Sequence, residues 1–313
     1  MIVRNKPPQY INNSGLSITV YNASRECPHF QSDTLEILMC VSGNVCAHIS
    51  HGSYDLKAGD FVAINSNEVH YCTSDEDNIL VSYYFDNNGT LGMEKSLNEV
   101  YIDNIWGNTD EKLVKEKKNV YLRLISILSF YLNNEMLAKA DEIKTFTDEL
   151  LETLVRNFQL FYVSDASSTP QVEESKERFY RIIAYLKGNY KRKITISEIS
   201  STEHISSNYL SQYVKKATLM GLTKILTFIR AHESERILLS ENLSIIEVAY
   251  ECGFSDPKLY YKAFKKIYNN TPNQHRIKYR ELVNRASENH EIDIIQEKSV
   301  IEHYMITNIY KCI

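Results

Sequence analysis

The sequence predicts an α+β multidomain chain: a small N-terminal β-barrel, a helical hairpin behind it, and an all-α C-terminal part built from two helix-turn-helix units. Three observations carry this. Residues 15–86 alternate short runs rich in Val, Ile, Tyr and Phe with Gly, Asn, Asp and Ser, the pattern of a compact all-β domain. Residues 111–163 change to apolar spacings of three and four, the period of buried helix faces. Residues 176–280 hold 19 Lys and Arg against 9 Asp and Glu, a net of +10, which leaves −15 for the rest of a chain whose total is −5.

The expected strands are LSITVYNA, TLEILMCVSG, VCAHIS, GSYDLKAGDFVAI, EVHYCTS and NILVSYYFD. Alternation places Glu36, Leu38 and Cys40 on one strand face, and Cys46 with His48 on one face of the next. Six cysteines (Cys27, Cys40, Cys46, Cys72, Cys252, Cys312) form no CxxC or zinc-like spacing, so reduced, largely buried thiols are expected. MIVRNKPPQY lacks the apolar stretch of a signal peptide, and no run of eighteen apolar residues follows. A cytoplasmic protein with no membrane partner is therefore expected.

In the helical stretch, Val114, Tyr121, Leu124, Ile125, Leu128, Tyr131 and Leu132 form one stripe, and Ile143, Phe146, Leu150, Leu151, Leu154 and Phe158 another. Such stripes need cover, from the barrel, from a second copy across a two-fold axis, or from both. A homodimer is the expectation. SDASSTPQVEES, residues 164–175, is polar and aperiodic and reads as a linker. The domains expected are 1–105 (β-barrel), 106–163 (helical dimerisation segment), 164–175 (linker), 176–280 (helix-turn-helix pair) and 281–313, an extension of β-leaning and helical pieces with no role assigned.

The second helix-turn-helix is the clearer one. In NLSIIEVAYECGFSDPKLYYKAFKK, Ile245, Val248 and Ala249 share a face, and Gly253 supplies a turn where positive φ is cheap only for glycine. Asp256 and Pro257 form an N-cap and first helical residue. The helix they start is expected to bury Leu259, Tyr260, Ala263, Phe264 and Ile267 and to expose Lys258, Tyr261, Lys262 and Lys265. About fifty residues earlier, Ile196 and Ile199 mark a first helix and Ile205 a turn. Ser206 or Ser207 caps a second helix that buries Leu210, Tyr213 and Val214 and exposes Asn208, Ser211, Gln212, Lys215 and Lys216. A long helix over 222–239 joins the units. Two such heads in a basic segment point to duplex DNA, entered in major-groove faces roughly 34 Å apart.

Residues 178–280, and above all GFSDPKLYYKAFKK and NNTPNQHR, resemble the AraC/XylS family of bacterial transcription regulators. His204 and Leu219 stand where that family usually has glycine, and Ser200 and Ser234 replace usual alanines. The resemblance implies a DNA-binding regulator with double-stranded promoter DNA as partner, and RNA polymerase as a further partner if it activates. Base reading is expected from Asn208, Ser211 and Gln212 in the first unit and Lys258, Tyr261 and Lys262 in the second, because Asn and Gln match adenine edges and Lys the guanine acceptors. Phosphate contacts are expected from Lys215, Lys216, Lys265, Lys266 and Arg276.

KAGDFVAI followed by EVHYC resembles the second half of a cupin barrel, which makes the N-terminal part a cupin-like sensor by the same analogy. Its expected ligand pocket comprises Arg25, His29, Glu36, His70, Ser82 and Tyr84, and a small-molecule effector, with a sugar favoured, is the expected partner. Metal-binding cupins carry a histidine where Gln31 stands here. A neutral amide is a poor ligand for Fe, Ni, Mn or Zn, so no metal, cofactor or catalytic site is expected. The competing readings are a cupin-type metalloenzyme fused to a DNA-binding domain, and a dimeric DNA-binding protein without an effector.

Overall fold

The computed structural model describes residues 2–4, 10–11, 15–87, 97, 101–103, 111–158, 161, 170–287, 290–292 and 294–312. It divides into two compact units. One is β-rich and comprises Ile2–Leu97, Ile102–Gln159 and Leu282–Ile313; the other comprises Asn98–Tyr101 and Leu160–Glu281 together with Met1.

The β-rich unit contains β1 (Val3–Arg4), β2 (Leu16–Asn22), β3 (His29–Phe30), β4 (Thr34–Ser42), β5 (Asn44–Ile49), β6 (Gly52–Lys57), β7 (Phe61–Ile64), β8 (His70–Thr73), β9 (Ile79–Asp86) and β10 (His290–Glu291). They form two five-stranded sheets, ordered β1-β3-β8-β5-β6 and β10-β2-β9-β4-β7. Pairing is antiparallel except between β1 and β3. The expected closed barrel is thus replaced by two separate sheets. The reason lies between β6 and β7, which are consecutive in the chain but sit on the edges of different sheets. Gly59, at φ +97°, turns the chain there, and its amide donates to the Cys40 carbonyl at 2.9 Å while the Cys40 amide donates to Asp60 at 2.9 Å. The chain crosses from sheet to sheet without pairing, and inner side chains such as Leu38, Cys40, Val45, Ala47, Leu56, Ile64 and Leu80 make the core.

Behind the sheets, α1 (Glu111–Leu132) packs on α2 (Ala140–Asn157). Tyr121, Leu124, Leu128, Ile143, Leu150 and Leu154 of the two stripes are buried within one chain, whereas Val114 is exposed. The unassigned tail also belongs here. β10 pairs with β2, His290 opposite Asn22 and Glu291 opposite Tyr21, and the Ile292 amide donates to Val20 at 3.1 Å. The helix that follows, α10 (Ile294–Cys312), packs on α1 and β4 and buries Ile301 and Met305. The tail therefore covers an edge that would otherwise present unpaired backbone groups.

The second unit is helical: α3 (Pro170–Asn189), α4 (Ile196–Thr202), α5 (Ser207–Thr218), α6 (Leu222–Ser240), α7 (Ile245–Glu251), α8 (Pro257–Tyr268) and α9 (Pro272–Arg285). Of the expected linker 164–175, residues up to 169 lie outside the described residues, as does the boundary region 104–110. From Pro170 onward the segment is the start of α3 rather than linker. A proline at the first helical position costs no hydrogen bond, which explains the start point.

Candidate nucleic-acid interface

α4–α5 and α7–α8 are the two helix-turn-helix units. Each first helix opens with a reciprocal capping box. The Thr195 hydroxyl accepts from the Glu198 amide at 3.2 Å, and the Glu198 carboxylate accepts from the Thr195 amide at 3.5 Å; Ser244 and Glu247 repeat this at 3.2 and 2.7 Å. Two otherwise orphaned donors are satisfied each time. Each second helix is capped as well, with Ser206 accepting from the Tyr209 amide at 3.2 Å and Asp256 from the Lys258 amide at 2.8 Å. Both second helices end on a left-handed residue, Leu219 at φ +57° and Asn269 at φ +56°.

Along these helices the expected readers fall in matching positions. Asn208, Ser211, Gln212, Lys215 and Lys216 on α5 are all exposed, and so are Lys258, Tyr261, Lys262, Lys265 and Lys266 on α8. The two sets share a spacing of three and four, which puts each on a single helix face. The Ser211 hydroxyl also donates to the Ser207 carbonyl at 2.9 Å, which commits its proton within the helix.

Arg276 is half-buried, and its Nε donates to the Leu238 carbonyl at 2.9 Å, closing the end of α6; burial first, then Arg280, lowers its pKa. Two expectations of burial need correction. Leu259 is 53% exposed rather than buried. The buried row of α8 runs through Tyr260, Phe264 and Tyr268, and Leu259 lies about 100° away from it in the first turn. Ile196 is exposed as well, because it is the first residue of α4 and precedes the turn that carries buried Ile199. Tyr213 is only partly buried, its hydroxyl donating to the Ser175 carbonyl.

Pattern reading missed Tyr209, exposed on α5 and stacked with Tyr213, and the anchoring role of Tyr101. The Tyr101 ring lies 4.0 Å from Lys187 Nζ, against Phe161, Phe228 and His232, with its hydroxyl donating to Glu233 at 3.4 Å. The substituted positions are accommodated locally. Ser200 and Ser234 donate to the carbonyls of Ser197 and Ala231 at 3.0 and 2.6 Å, and His204 adopts φ +53°, which histidine tolerates better than most residues.

In the β-rich unit, five of the six expected pocket residues are brought together. Glu36 accepts from Ser82 at 2.6 Å and stands 3.3 Å from His70 Nε2. The His29 and His70 rings are 4.2 Å apart, and Tyr84 is directly opposite Glu36 in the sheet. Burial acts against a charged His70, but the Glu36 carboxylate outweighs it and raises the pKa to about 9. His29 goes the other way, lowered by burial and by His70. Glu36 and His70 are 2% and 3% exposed, so the cluster is sealed rather than open. Arg25 does not join it: it is exposed at a sheet edge, bridged to Thr73. Among the described residues, no group of three His, Cys, Asp or Glu side chains is placed to hold a metal ion, and no helix is long and apolar enough to cross a membrane.

Two capped helix pairs on one connecting helix, in a basic segment, define the class: a tandem helix-turn-helix DNA-binding domain. The family model described as "Helix-turn-helix domain" matches residues 199–278. The chain is 23% identical over 159 residues to the Msm operon regulatory protein of Streptococcus mutans, covering 50% of this chain and 55% of that one. It is 23% identical over 265 residues to the lactose operon transcription activator of Staphylococcus xylosus, covering 84% and 90%. A crystal structure of the C-terminal domain of a two-component response regulator from Fusobacterium nucleatum shares 31% identity, covers 33% of this chain and 98% of its own, and has a TM-score of 0.30. The chain thus spans about half the length of the Streptococcus relative and nearly all of the Staphylococcus one. In its C-terminal part the chain carries a helix-turn-helix domain of the AraC type.

Proposed function

We propose that the protein is a sequence-specific, ligand-responsive transcription regulator, an activator of a sugar-utilisation operon, working as a homodimer with promoter DNA and RNA polymerase as partners. The observation that carries the DNA reading is the pair of exposed polar faces on α5 and α8, each mounted as the second helix of a capped helix-turn-helix. Asn208, Ser211 and Gln212 read bases in one groove and Lys258, Tyr261 and Lys262 in the next, flanked by Lys215, Lys216, Lys265 and Lys266 on phosphates. Exposed Tyr209 and Leu259 add apolar surface suited to thymine methyl groups.

The sugar reading is supported by the name of the Staphylococcus relative. Two places in the β-rich unit suit an effector. The sealed Glu36–His70–Ser82 cluster offers carboxylate, imidazole and hydroxyl groups once the sheets part. A cleft of about 660 Å³, lined by residues including Asn44, Glu76, Asp77, Glu297 and Tyr304, lies where α10 meets the strand ends. It supplies acceptors and one aromatic ring to a hydroxyl-rich ligand.

Fluorescence anisotropy of the full chain on the duplex upstream of its own gene, against a scrambled duplex, tests this. Preference for the natural duplex by about a thousandfold, altered by one sugar among lactose, raffinose and glucose, is the expected result. Equal affinity for the two duplexes contradicts DNA-sequence reading, and indifference to all three sugars contradicts the effector class. Sedimentation of the same sample tests the dimer.

A further inference from the structure

The two reading helices do not account for a second feature of the helical unit. A cleft of about 640 Å³ lies between the two helix-turn-helix units. Thr195, Ile196 and Ile199 come from the cap and first helix of the first unit; Tyr250, Gly253 and Ser255 come from the end of α7 and the turn of the second. Leu222, Thr223 and Arg230 of α6 complete it, with Lys191 and Lys193 from the segment between α3 and α4. The turn is held hard against that segment: a Cβ on Gly253 would meet the carbonyls of Tyr190 and Lys191, the latter at 2.7 Å.

The cleft is lined by three cations and no carboxylate. Arg230 is occupied, its guanidinium donating to the Tyr190 and Arg192 carbonyls at 2.8 Å each. Glu198, on the same helix as the lining residues Ile196 and Ile199, is already paired with Arg192 at 2.5 Å and accepts from Tyr185 at 2.6 Å, and those partners hold its carboxyl down at about 2. Among the described residues Lys191 and Lys193 are exposed and make no ion pair. Exposed Ile196 and Tyr250 flank them. Unopposed ammonium groups beside apolar and hydroxyl surface complement a sugar-phosphate chain.

Geometry selects the same occupant. In a helix-turn-helix the first helix crosses the DNA backbone while the second enters the groove. If α5 and α8 lie in successive major grooves, the backbone of the intervening minor groove has to pass between the units, where this cleft is. We propose that the cleft seats that stretch of duplex backbone, with Lys191 and Lys193 as phosphate contacts. The proposal rests on the DNA-binding reading above.

The test is the salt dependence of binding to a random-sequence 40-base-pair duplex by the full chain. Each phosphate contact contributes about 0.9 to the slope of log affinity against log salt. K191A/K193A is expected to flatten the slope by about 1.8, and K57A/K115A, an equal charge change on exposed lysines of the β-rich unit, is expected to leave it unchanged. T223E, which puts a carboxylate in the cleft mouth, is expected to weaken binding at every salt concentration. An unflattened slope in K191A/K193A, or equal flattening in both double variants, overturns the proposal while leaving DNA binding intact. A wild-type chain with no salt-dependent binding overturns the DNA reading itself.

Discussion

The two helix-turn-helix units reach the same backbone geometry with different materials. Their reading helices are in register, position for position, from Asn208 and Lys258 to Lys216 and Lys266, and their caps have the same design. Yet the second unit turns on Gly253 and the first on His204, both at positive φ. The second rests on a buried hydrogen-bonded pair, His275 with Glu235 at 2.8 Å, whereas the first is braced at its surface by Arg181 on Glu203 at 2.7 Å. At matching exposed positions the second carries Lys258, Tyr261 and Lys262, the first Asn208, Ser211 and Gln212. A shared backbone geometry thus tolerates wide variation in what fills it, provided the caps and left-handed turns are met.

The largest expected effect concerns bracing. Glu235→Ala leaves the His275 ring without its partner in the core and is expected to cost about 3 kcal/mol in urea unfolding, against under about 1 kcal/mol for Arg181→Ala. Similar costs would erase the contrast between buried and surface bracing. Next is the turn: Gly253→Ala forces a Cβ onto two carbonyls and is expected to cost about 3 kcal/mol, while His204→Gly is expected to stabilise slightly.

Reading comes third. Lys262→Ala is expected to lose about 2 kcal/mol on the selected site and to relax preference there, as Gln212→Ala does for the other groove. Lys266→Ala is expected to weaken all sequences alike and to reduce the salt slope by about 1. Equal losses on selected and random duplexes for Lys262→Ala would demote it to a phosphate contact. The smallest effect separates the helix ends. Leu219, 75% exposed with no side-chain reason to be left-handed, is expected to gain about 1 kcal/mol on change to Gly, and Asn269→Gly is expected to gain less.

Much of the helical unit was legible because its signals are local. Asp256-Pro257, Gly253 and the three-four spacing of α8 depend on neighbours in sequence, and the exposed faces of α5 and α8 came out residue by residue. What escaped depended on distant partners. Nothing near Arg276 announces that its Nε closes α6, and Leu259 looks like core until the packing direction of α8 is known. In the β-rich unit, alternation identified the strands but not which sheet each joins, so the crossing at Gly59 was missed and a barrel was expected. The tail was opaque for the same reason, since the partners of β10 and α10 lie more than 150 residues away in sequence, at β2, β4 and α1.

The central claim is that both units read DNA, in neighbouring grooves. Selection of bound duplexes from a fully randomised library by the full chain tests it most directly. Two enriched sequence blocks with centres about 10.5 base pairs apart are predicted, the first relaxing in Gln212→Ala and the second in Lys262→Ala. A single enriched block, unmoved by one of these substitutions, would contradict it.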